Sequence, residues 1–99
     1  MINLNVNIIR RANSPSCYIG LILKRQRKKL GLSGSEVAKL LHISQQQVSR
    51  YERGLTSFNV NVLLRFFSVL NMNEREIITI FDELITCYMK RNIQIRNTI

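Results

Sequence analysis

The run Ser44-Gln45-Gln46-Gln47-Val48-Ser49-Arg50-Tyr51-Glu52-Arg53-Gly54 sets three side-chain amides and, one turn on, a guanidinium along one short segment. The chemistry these groups share is bidentate hydrogen bonding. A Gln amide matches the N6/N7 edge of adenine, and Arg the O6/N7 edge of guanine, in the major groove of DNA. Such groups need a rigid carrier, and the spacing predicts one. Ser44 offers a hydroxyl to a free backbone N–H at a helix start. Val48 and Tyr51, three apart, share the opposite face and can seat the helix on a core. Gly54 follows where a helix is stopped by a residue that accepts φ > 0. The segment reads as a helix with an apolar back and a polar reading face.

Other chemistries find little support. No carboxylate pair, nucleophile with a neighbouring base, or glycine-rich phosphate loop stands out, so no catalytic residue and no enzyme is expected. Cys17 and Cys87 lack CxxC spacing, and the single histidine, His42, leaves no Cys/His zinc site. Free thiols, no metal and no cofactor are the expectation.

Charge points the same way as the glutamine segment. The 99 residues make one small domain and carry 15 Lys+Arg against 6 Asp+Glu, a formal charge of +9. So strong a bias argues for a polyanionic partner, of which a phosphate backbone is the commonest. Lys24, Arg25, Arg27, Lys28 and Lys29 crowd one segment ahead of the glutamines. A membrane surface would attract such a cluster too, but the neighbouring apolar residues are accounted for as core. No apolar stretch reaches 18 residues, and Arg10 and Arg11 follow the apolar N-terminal positions, the reverse of a signal peptide. A cytoplasmic protein without a membrane partner is expected.

The elements that must position the reading segment are mostly helical. Tyr18–Leu30 carries Ile19, Ile22, Leu23 and Leu30 on one side and the basic cluster on the other, with Gly31 at its end. Ser33 with Glu36 forms a capping box, in which side chain and backbone satisfy each other at a helix start. The helix it opens runs to about Leu41, leaving only His42 and Ile43 before Ser44. Two short helices so closely joined make a helix-turn-helix. Asn59 is expected to cap a fourth helix with Leu63, Phe66, Phe67 and Leu70 in one stripe. Asn73 with Glu76 opens a fifth, running to about Lys90, whose Ile78, Ile85 and Met89 exceed what one core needs and are assigned to a second subunit. Residues 2–8 and 93–97 alternate polar and apolar; they are expected as short β-strands, paired with each other or across subunits, or else as unstructured ends. The resulting division is an arm and linker over 1–17, a helix-turn-helix domain over 18–73, and a dimerisation helix with tail over 74–99.

From Tyr18 to about Asn73 the chain resembles the Cro/CI-type (XRE-like) helix-turn-helix domain of phage and bacterial repressors. The residues that carry the likeness are the basic first helix, the Ser33-x-x-Glu36-Val37-Ala38 start and the Ser44–Gly54 block. Within that family, the string Ser-Gln-Gln-Gln-Val-Ser-Arg-Tyr-Glu resembles the small regulators encoded with bacterial fimbrial operons, which repress flagellar motility while adhesion genes are expressed. The resemblance implies an all-α, five-helix fold. It implies that Gln45, Gln46 and Arg50 read base edges, while Gln47 and Ser49 flank them on bases or phosphates. It places Ala38 where the two helices cross and Val48 at the buried position of the reading helix. Arg27 and Glu52 match a family pair that bridges the first and third helices. Ser33, Ser44, Lys24, Arg25, Lys28, Lys29, Arg53 and Thr56 are the phosphate candidates. The chain departs from the pattern at His42, where the tight turn commonly has Gly, and at Gly34, where the family often has a Gln that contacts phosphate and braces the reading helix.

The sequence reading is thus a DNA-binding transcriptional regulator: double-stranded DNA as partner, a homodimer on an inverted repeat, and no small-molecule ligand. A rival from the interaction class is an adaptor or antitoxin-like protein whose residues 77–89 bind a different protein. Binding of RNA or single strands relies on exposed aromatics, and the predicted reading face has none.

Overall fold

The computed structural model describes residues 14–89. Five α-helices follow one another: α1 (Pro15–Lys29), α2 (Gly34–Leu41), α3 (Gln45–Glu52), α4 (Val60–Val69) and α5 (Glu74–Leu84). α5 continues into a π-helical turn over Ile85–Met89. Among the described residues there is no strand, and the all-α, five-helix expectation holds. The strands expected at 2–8 and 93–97, and the helix end expected at Lys90, lie outside the described residues.

Local signals explain where the helices start. Ser33, Ser44, Asn59 and Asn73 each sit in extended backbone, and each side chain accepts the N–H three residues on, at 2.8 to 3.0 Å. At Ser33 and Asn73 the box closes both ways: Glu36 and Glu76 each accept the N-cap backbone N–H at 2.9 Å. The first helix corrects the sequence reading. It begins at Pro15, not Tyr18, with Ser14 as N-cap accepting from the Cys17 N–H at 3.2 Å. Ser14-Pro15-Ser16 resembles a linker because Pro and Ser break helices. In a first turn, however, proline's missing N–H has no intrahelical partner to lose and its fixed φ suits the helix.

The core is one cluster shared by all five helices. Tyr18 and Leu23 come from α1, Val37 and Leu41 from α2, Val48 from α3, Phe66 from α4 and Ile80 from α5; all are essentially excluded from solvent. The rings of Tyr51, Phe58 and Phe66 pack on one another with centroids 4.9 to 5.8 Å apart, two of the three pairs edge-on. Offset and edge-on pairs of this kind add about 0.5–1.5 kcal/mol beyond area burial. They pin the end of α3 to α4 through the loop between them.

α1 and α3 approach each other closely at Gly20. A Cβ added at Gly20 would stand 2.4 Å from the Tyr51 carbonyl oxygen and 2.7 Å from that of Glu52. Only glycine lets the first helix lie directly on the end of the third. Because backbone cannot swing away as a side-chain tip can, Gly20→Ala should cost about 1–3 kcal/mol, toward the upper end of that range. Urea denaturation of the variant beside the wild type checks it; an unchanged midpoint would contradict the packing described.

Candidate nucleic-acid interface

α2, the turn and α3 form a compact corner. His42 ends α2 in the left-handed conformation, φ 58° and ψ 41°. Its N–H donates to the Lys39 carbonyl at 3.3 Å, and the Ile43 N–H reaches back to Ala38 at 3.1 Å. The turn needs a positive φ here, and His occupies it in place of the more usual glycine, at some conformational cost. Arg65 on α4 donates to the Leu41 carbonyl, satisfying one of the acceptors left open at the end of α2. Ala38 is buried, and α2 packs closely against α3.

α3 divides cleanly by face. Val48, Tyr51 and Glu52 are buried, whereas Gln45, Gln46, Arg50 and Arg53 are exposed and Gln47 and Ser49 half-buried. Beyond the helix, Gly54 turns the chain at φ 71° and lies against Cys17; a Cβ there would be 2.5 Å from the Cys17 Sγ. The Arg50 Nε donates to the Thr56 Oγ1 at 3.2 Å, and the Arg53 Nε to the Ser49 carbonyl at 3.4 Å. Thr56, predicted as a phosphate ligand, is therefore placed to steady the Arg50 side chain. At Gly34 a Cβ would sit 3.9 Å from the Gln45 Cγ, ordinary van der Waals contact. A longer side chain at position 34 would lie along Gln45, and glycine leaves that space open.

Arg27 and Glu52 meet as a bidentate pair. The Arg27 Nε donates to Glu52 Oε2 at 2.6 Å and its Nη2 to Oε1 at 3.0 Å, while Nη1 donates to the Leu32 carbonyl at 2.9 Å. The Glu52 side chain is 7% exposed and that of Arg27 13%, so water screens the pair little. The hydrogen bond it donates to Glu52 raises the Arg27 pKa above its ordinary value, against the opposing effect of burial. One guanidinium thus ties together α1, the loop before α2, and the last residue of α3.

The basic cluster of α1 is split by the helix. At 100° per residue, Lys24 and Lys28 fall beside the Gly20–Arg27 flank that meets α3. Arg25 and Lys29 lie on the other flank, where they line a groove against α5 with Arg75 and Glu76. Lys24 and Lys28 therefore fall on the α3 side of α1, and Arg25 and Lys29 on the α5 side. Sequence reasoning also missed Arg65, Gln26, whose Nε2 donates to the Leu70 carbonyl at 3.1 Å, and the Arg50–Thr56 bond. None of the three carries a local signal. Among the described residues no group of three or more His, Cys, Asp or Glu could hold a metal. No helix among them is long and apolar enough to cross a membrane.

A helix-turn-helix family model matches residues 23–77, more than half of the chain, and spans α2, the turn and α3 in full. No curated protein and no solved structure matches.

Removing one member of a buried ion pair strands the other charge, which costs far more than replacing both. Glu52→Leu alone should destabilise by about 3–5 kcal/mol, and the Arg27→Met/Glu52→Leu double variant should recover a substantial part of that loss. A double-mutant cycle by chemical denaturation measures the coupling. Strictly additive losses would mean the pair is not a unit.

Proposed function

The chain belongs to the helix-turn-helix family of DNA-binding transcription regulators, and on that premise we propose that it acts as a homodimer on an inverted-repeat operator. The observation that carries this reading is the face of α3. Gln45, Gln46 and Arg50 are solvent-exposed on a helix whose Val48, Tyr51 and Glu52 are fixed in the core. Their amides and guanidinium complement the donors and acceptors of adenine and guanine edges. Gln47 and Ser49 flank them. Ser33 and Ser44 open α2 and α3, whose first backbone N–H groups suit phosphate oxygens. Lys24, Lys28 and Arg53 supply cations alongside, which gives affinity without sequence information.

A two-fold operator calls for a two-fold protein. Ile78, Ile85 and Met89, with Phe81, form an exposed apolar stripe along α5 and the turn that continues it. We assign this stripe to a second copy of the chain. Each α3 would then enter one of two successive major grooves, about 34 Å apart. The likeness of Ser44–Glu52 to regulators encoded with fimbrial operons supports fimbrial and flagellar genes as the targets.

Fluorescence anisotropy on an operator and on random duplex separates the roles. Arg50→Ala or Gln45→Ala should lose about 1–3 kcal/mol on the operator only, and Lys28→Ala should weaken both duplexes and lower the salt slope by about one ion. Equal losses on both duplexes for all three variants would refute base reading by α3. Ile85→Asp should convert a dimer to a monomer in light scattering. A monomeric wild type that captures a different protein through 77–89 would favour the adaptor reading instead.

A further inference from the structure

The groove between α1 and α5 lies apart from the reading face. Tyr18, Ile22, Met72 and Ile80 give it an apolar floor, and Arg25, Lys29 and Arg75 bring three cations to it. Glu76 is the one carboxylate in the lining, and it is held by the Asn73 N–H at 2.9 Å. Neither Arg25, Lys29 nor Arg75 is among the salt-bridged cations of the described residues. The volume, about 630 Å³, falls within the range of roughly 300–1,000 Å³ of small-molecule sites.

We propose that this groove binds a small organic anion with an apolar body. The body lies over Ile22, Met72 and Ile80, and the anionic oxygens sit between Arg25 and Arg75 with Lys29 beside them. Guanidinium forks pair with carboxylate and phosphate alike, so the chemistry admits either head group. The chain's own end segments are poor occupants by charge. Residues 1–13 and 90–99 hold Arg10, Arg11, Lys90, Arg91 and Arg96 and no Asp or Glu, and would add cations to cations.

The test uses the full chain without DNA, so it stands whether or not α3 reads bases. Methyl NMR is recorded with 1-naphthoate, 1-naphthyl phosphate and, as neutral control, 1-naphthylmethanol. Saturable shifts of the Ile22, Met72 and Ile80 methyls are expected with an anion and at least tenfold weaker binding with the alcohol. Tighter binding of the phosphate or of the carboxylate identifies the head group. Arg25→Gln/Arg75→Gln, two exposed positions, should weaken the anion about tenfold, the equivalent of 1.4 kcal/mol, with the spectrum otherwise unchanged. Equal binding of the alcohol, shifts confined to the apolar stripe of Ile78 and Ile85, or no saturation at millimolar probe would overturn the proposal.

Discussion

The Arg27–Glu52 pair, set beside the glycine contact at Gly20, is the constraint on which the rest of the molecule depends. α3 has eight residues, and isolated helices shorter than about 12–15 residues are marginal in water. Its orientation must come from outside. Glu52 ends the helix inside the core, and this buried charge finds a fork of donors on α1. Close to it, the Tyr51 and Glu52 carbonyls lie so near Gly20 that no side chain fits between. Buried ion pairs are weak evidence for stability but can specify one arrangement among several. Here the arrangement specified is the direction in which Gln45, Gln46 and Arg50 point.

That constraint organises the charge as well. α1 is the helix that holds α3, so cations on its near flank lie on the α3 side. Those on its far flank meet α5 instead. The cations of α1 therefore fall into two groups. One accompanies a polar helix face suited to a groove of DNA; the other surrounds an apolar groove of molecular size. α5 joins the two halves of the account, since one of its flanks lines that groove and another carries the exposed stripe of Ile78, Phe81, Ile85 and Met89.

Much of this was legible in the residue order, for a physical reason. Capping boxes, the short turn at His42 and the stop at Gly54 are local, decided by residues within one turn of one another. The stripe of Leu63, Phe66, Phe67 and Leu70 is also local, and all four are buried. What escaped depends on neighbours far along the chain. Arg25 and Lys24 are adjacent in sequence but belong to different faces, and only the position of α5 tells them apart. Arg65 reaches the end of α2 from 24 residues away, and Gln26 reaches Leu70 across 44. Pro15 misled because proline means opposite things in a linker and at the first position of a helix.

The central claim is that a helix oriented by Arg27 and Glu52 reads bases through Gln45, Gln46 and Arg50. Enrichment of a random duplex library on the wild-type protein, sequenced beside Arg50→Ala, tests it most directly. The account predicts a motif with two-fold symmetry, half-site centres about one helical turn or 34 Å apart, and information lost at the same position in both half-sites in the variant. Enrichment without a motif, or one that Arg50→Ala leaves intact, would contradict it.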